Sequence, residues 1–168
     1  MNSLHEAFRH NAWATKELLA FCRGRSLSEE QLTSSATGSF GGIRATFNHV
    51  VRSDAGYLRS LTGDGPPWAT DDAADADLDQ LEAWADETER GWDRFVAGPV
   101  DAERIIVLDA GAYEAHAGVI VAQALHHANA HREQICTILT GLGMEAPDIQ
   151  AWAYADATGR GRERVPER

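Results

Sequence analysis

Apolar side chains return every three or four residues over four long stretches of the chain, the period of a helix with one buried face. In the first, residues 4–23, Leu4, Phe8, Leu18 and Cys22 keep the step, and polar Asn11 and Thr15 fill the places between them. Ser3 and Glu6 give a capping box at its start, and Gly24 ends it. The second, 40–62, carries Ile43, Phe47, Val50, Val51, Leu58 and Leu61, with Gly63 as its stop. The third, 76–97, carries Leu78, Leu81, Trp84, Ala85, Trp92 and Phe95. The fourth, 118–140, sets Ile120, Ala124, His127, His131, Ile135, Ile138 and Leu142 at steps of four and three, and Gly141 and Gly143 follow it.

The stretches between are shorter and of different character. Ser28 and Gln31 have the spacing of a second capping box, so a short helical turn belongs there. "RIIVL" is β-branched and "DAGAYEAHA" turns and alternates, which predicts a short β-hairpin within 103–117. "PDIQAWAYADATG" predicts a helical turn packed by Trp152 and Tyr154. The linker "GDGPPWATDDAAD" cannot be helix past Pro66 and Pro67. Its dozen residues reach ~40 Å when extended, more than the ~33 Å length of the helix before it. The third helix can therefore run parallel to the second. The expected fold is all-α: a four-helix bundle of up-down-down-up order with a long crossover linker and a short hairpin between helices three and four. Residues 1–155 form the domain, and 156–168 a flexible C-terminal tail.

A chain of 168 residues buries about 70% of the surface its unfolded form exposes. It needs neither disulfide nor structural metal to fold, so a metal would be there for chemistry. Cys22 and Cys136 lie outside any C-x-x-C pattern and read as buried small hydrophobes. A net charge of −11 disfavours nucleic acid as a partner. The one basic cluster, Arg160, Arg162, Arg164 and Arg168, is broken by Glu163 and Glu167. The polar opening "MNSLHEAFRH" and the lack of an apolar run of ~18 residues predict a cytoplasmic protein that does not enter membranes. Fourteen arginines against the single Lys16 indicate a GC-rich coding sequence.

The candidate chemistry lies in "ALHHANAHREQI". His127 and His131 stand four apart on the core-facing stripe, a spacing that presents two nitrogens to one ion. His126 is rotated about 100° away. A third ligand must come from another helix, and His49, at the middle of helix two, is the candidate. Gly42, Ala45, Thr46, Ser53, Gly56 and Ser60 surround it at helical steps, so neighbouring helices are expected to approach closely there. His5 and His10 lie off the stripe of helix one, and His116 stands at the mouth of helix four. Gln134, Gln123 and Asn11 are candidate hydrogen-bond partners for the rings. On spacing alone, a cluster of packed histidines bonded to one another stays open. No G-x-S-x-G, P-loop or C-x-x-C competes, and "ATDDAADAD" lacks the spacing of an EF-hand.

Three segments carry a resemblance to a known family. "HNAWATKELL", "FGGIRATFNHVVRSDAGYLRSLTG" and "HHANAHREQI" resemble, in order, the three motif segments of the DinB-like (YfiT-like) four-helix-bundle metalloproteins. His49, His127 and His131 match the metal positions, and Arg132 and Gln134 match the rest of the H-x-x-x-H-R-x-Q segment. The resemblance implies a bundle with helices two and three parallel, three histidines on a divalent ion (zinc or nickel) and a homodimer. It also implies a thiol-dependent S-transferase using mycothiol, bacillithiol or glutathione on small-molecule electrophiles, and the GC-rich composition favours mycothiol. The family's isomerase branch places a glutamate among the ligands, whereas both matching helix-four positions here are histidine. Two alternatives stand beside the transferase: a hydrolase that activates water at the metal, and a non-catalytic metal-binding stress-response protein.

Overall fold

The computed structural model describes residues 2–69 and 74–162. Helix α1 (Ser3–Gly24) is followed by the short α2 (Glu29–Thr33), then α3 (Ile43–Thr62) and α4 (Leu78–Ala97). Strands β1 (Ile105–Leu108) and β2 (Tyr113–His116) precede α5 (Ala117–Gly141) and α6 (Ala151–Ala157). Asn2, one residue before the expected Ser3, caps α1 by accepting from the His5 amide. The Ser28–Gln31 capping box forms as read. Helix α3 starts three residues later than expected because Gly41 and Gly42 are poor helix formers, and Gly42 serves as its N-cap. Asp77 caps α4.

Cross-helix contacts fix the directions. Asn48 exchanges two hydrogen bonds with the Ala76 backbone, the Arg52 guanidinium lies over the Trp84 ring, and Leu58 packs on Gly91. Residue numbers rise together along this seam, so α3 and α4 run parallel. Along α1 and α4 they run oppositely: Arg23 pairs with Asp79, Lys16 with Asp86 and Glu89, and His5 with Asp93. Helix α5 lies antiparallel to α3, with Gln134 at Phe40 and Gln123 at Tyr57. The up-down-down-up order follows. Trp68 stacks on Trp84 at 4.5 Å and ties the crossover down.

The interior has two apolar clusters. One gathers Leu18, Leu19, Phe47, Leu81, Ile135 and Leu139. The other gathers Phe8, Leu58, Leu61, Trp92 and Ile120, with Phe8 stacked on Trp92 at 3.9 Å. Each such side chain contributes about 1.5–3 kcal/mol on burial. Between the clusters lies a polar layer. Buried Arg132 donates from Nη1 to the Asn11 side chain at 2.7 Å, to the Asn11 carbonyl and to Thr15 Oγ1. Trp92 Nε1 and Asn11 Nδ2 donate to the two carboxylate oxygens of Asp54.

The hairpin pairs Ile105 with His116 through Leu108 with Tyr113. Period-two alternation turns Ile106 inward and leaves Ile105 and Val107 exposed. Helix α6 corrects one expectation: Tyr154 is buried, but Trp152 is 80% exposed. Two residues apart on a helix is about 200° of rotation, so the pair cannot share a face. The expected tail starts at residue 156, inside α6. Arg160 pairs with Glu6, and residues 163–168 lie outside the described residues. No described helix is long and apolar enough to cross a membrane.

Two glycines on either side of His49 make opposite demands. A Cβ on Gly42 would stand 2.6–2.8 Å from backbone atoms of Thr33, whereas on Gly56 it would meet nothing within 4 Å. Gly42→Ala should therefore cost about 1–3 kcal/mol through overpacking. Gly56→Ala should raise stability by about 0.5–1 kcal/mol through helix propensity. Urea unfolding of both variants checks this, and a neutral Gly42→Ala would contradict the packing of α2 against the start of α3.

Candidate metal centre

Helix α3 carries His49, and α5 carries His127 and His131 one turn apart. The antiparallel seam brings them together. Ring centroids lie 4.7 Å apart for His49–His127, 4.7 Å for His49–His131 and 4.5 Å for His127–His131. One nitrogen from each ring lies within 4.8 Å of the others, and His49 Nε2 is 2.9 Å from His127 Nε2. A tetrahedral ion with Zn–N of about 2.0–2.1 Å sets its ligand nitrogens about 3.4 Å apart. The His49–His127 distance is about half an ångström short of that value and no pair exceeds 4.8 Å, so small ring movements let the three imidazoles fit a divalent ion.

The rings are half-buried, and this corrects the register read from the sequence. The deepest stripe of α5 is Ala124, Ala128, Arg132, Ile135 and Leu139. His127 and His131 precede Ala128 and Arg132 by one position each, so they sit on the flank turned to α3. The polar group at the centre of the seam is Arg132. His126 is exposed, as its rotation required. His5 bonds Asp93, His10 bonds the Ile149 carbonyl, and His116 pairs with Glu103.

Gln134 fixes one tautomer. Its Oε1 accepts from the Phe40 amide at 3.0 Å and lies 2.9 Å from His131 Nδ1. An amide oxygen only accepts, so His131 carries its proton on Nδ1 and keeps the Nε2 lone pair for an ion. Gln123 and Asn11 do otherwise than expected. Gln123 is exposed and donates to the Tyr57 hydroxyl at 3.4 Å, and it is the Tyr57 ring that meets His127, at 5.6 Å. Asn11 faces the interior and is spent on Arg132 and Asp54.

Phe40 is the residue sequence reasoning missed at the centre. Its ring stacks on His49 at 4.0 Å and meets His131 edge-on at 5.6 Å, yet it is 55% exposed. The signal was a lone aromatic in "SFGG", directly before the helix that bears His49. The small residues around His49 also have another use. Ala45, Ser53, Gly56 and Ser60 line a cleft of about 960 Å³ that reaches His49, instead of admitting a neighbouring helix.

Burial pushes His127 down to about 4, assisted by the neighbouring His131, His49 and His126. It is therefore a neutral donor at physiological pH. In the unfolded chain the same ring takes up a proton near pH 6.5. Its contribution to stability is thus complete above pH 6.5 and is lost as pH falls toward 4. Asp54 has the opposite slope, because burial raises its carboxyl to about 7 against the pull of Trp92 and Arg132. The His127 effect must be taken as a difference. The stability of metal-free protein minus that of His127→Gln should shrink between pH 6.5 and 4, and a flat difference in urea unfolding would contradict a neutral, desolvated ring.

No curated protein matches the chain. Residues 1–165 match the DinB family, a span that takes in all three histidines and the bundle that positions them. On that match over nearly its whole length, the chain belongs to the DinB family.

Proposed function

We propose that the protein is a divalent-metal-dependent enzyme that transfers a low-molecular-weight thiol to a small electrophile. The observation that carries this reading is where the triad sits. His49 lines a cleft of about 960 Å³, and all three imidazoles are half-buried, not sealed in the core. A structural zinc is closed by four protein ligands, whereas a catalytic one keeps a position open. Among the described residues, the grouped donors are His49, His127 and His131 alone. Zinc is the ion we expect first and nickel second, since imidazole suits both. Held by three neutral ligands, such an ion supplies acidity to a bound thiol or water near neutral pH.

The chain's own residues supply the rest. Gln134 orients the His131 ring, and Phe40 stacks over one face of His49 and meets His131 edge-on. Tyr57 and Gln123 present a hydroxyl and an amide on the cleft wall nearest His127. The cleft favours an enzyme over a metal-binding scaffold, because a scaffold has no use for room beside its ion.

Metal analysis of untagged protein after zinc supplementation should give about one equivalent, and His49→Ala or His131→Ala should abolish tight binding. Gln134→Ala should weaken zinc affinity about 10–100-fold. Full occupancy in either histidine variant would contradict this ligand set. Zinc-loaded protein incubated with monochlorobimane and mycothiol, bacillithiol or glutathione should conjugate one thiol faster than metal-free protein does. Equal rates with all three thiols, with and without zinc, would overturn the transferase reading.

A further inference from the structure

The cleft has a chemistry of its own beyond the histidines. On α3, Arg52 follows His49 by three residues and Arg59 by ten, so the two stand about 5 and 15 Å further along the helix axis. Both line the cleft and both are half-buried. In a chain of net charge −11, neither guanidinium has an ion-pair partner among the described residues. Each is held by a neutral carbonyl of the crossover: Arg52 donates to Ala74, and Arg59 to Pro66 at 2.6 Å. Arg52 also lies over the Trp84 ring at 5.6 Å, and its Nε–H has no acceptor among the described residues. Among the described residues, the carboxylates at the cleft are those of Asp75 and Asp109, both exposed at its rim. Water screens an exposed charge far more than a half-buried one, so among the described residues the arginines dominate the field inside the cleft.

The facing wall is apolar. Leu108, Tyr113, Ala115, Val119 and Ile120 come from the hairpin and the start of α5. Tyr113 and Val119 are each 58% exposed, an apolar surface without a partner among the described residues. The hairpin thus turns a greasy face toward two fixed cations.

We infer that this cleft binds a small organic carboxylate with an apolar body: the carboxylate on Arg52 or Arg59, the body against Tyr113 and Val119. A guanidinium matches the two oxygens of a carboxylate with two parallel N–H groups. Phosphate sites instead gather several donors at one point, and these two arginines stand well apart. The inference takes from the proposed function only that substrate lies in the cleft beside His49, and it requires no metal to be tested.

Titration calorimetry with 4-phenylbutyrate and the neutral 4-phenylbutanamide, on metal-free and on zinc-loaded protein, tests it. The anion should bind about tenfold or more tightly than the amide to both forms, the difference a charge-assisted hydrogen bond makes. One of the two variants Arg59→Gln and Arg52→Gln should lower the affinity for the anion, and both should leave that for the amide unchanged. Tyr113→Ala should weaken both ligands. Either arginine change could loosen the crossover, so unfolding temperatures accompany them, and the ligand comparison on wild-type protein stands by itself. Equal affinities for anion and amide, no binding of the anion at millimolar concentration, or unchanged anion affinity in both folded arginine variants would each overturn the inference. Binding of the anion by protein that takes up no zinc would sink the metal reading alone.

Discussion

His49 and His127 bring their Nε2 atoms within 2.9 Å across the seam between α3 and α5, and the surroundings keep the His127 ring from charging. Burial penalises a charged imidazole here, and the neighbouring His131, His49 and His126 add to the penalty, so His127 stays neutral far below the usual histidine range. Neutral rings keep their lone pairs. The same desolvation that makes the cluster costly as a set of packed side chains makes it a ready set of ligands. Phe40 and Gln134 complete the arrangement, one by stacking on the His49 ring and the other by fixing a tautomer of His131.

The seam needs a rigid backing, and the polar layer supplies it. Arg132 follows His131 directly and reaches through the bundle to Asn11 and Thr15 on α1, while Asp54 on α3 is bonded by Asn11 and by Trp92 of α4. All four long helices are therefore linked by polar contacts between the two apolar clusters. A layer of this kind permits one register, since sliding any helix would strand a buried donor or acceptor at about 1–3 kcal/mol each. The Nε–H of Arg132 already lacks an acceptor. The registers of α3 and α5, on which the histidine geometry depends, are set in this layer.

The period of the apolar residues revealed the four helices and the parallel crossover, because those follow from local spacing and linker length. The same period misjudged His127 and His131. A stripe of step three and four is wide enough that positions 127 and 128 both satisfy it, and only packing shows that Ala128 and Arg132 take the centre. His49 was legible as a partner because it sits in mid-helix, but its small neighbours were given the wrong task. Small residues allow close approach or leave space, and the sequence is the same in both cases; here they leave a cleft. Asn11 stood out as a polar interruption of a core stripe, yet its partner is an arginine from a helix more than a hundred residues away. Phe40 falls at the first residue of the expected helix two but lies in the loop before α3, where no period fixes what an aromatic touches.

X-ray absorption of the zinc-loaded, untagged protein at the zinc edge tests the central claim most directly. The account predicts three imidazole nitrogens at about 2.0–2.1 Å, with the remaining coordination from light, non-protein atoms. A shell with fewer than three imidazoles, or one containing sulfur at about 2.3 Å from Cys22 or Cys136, would contradict it.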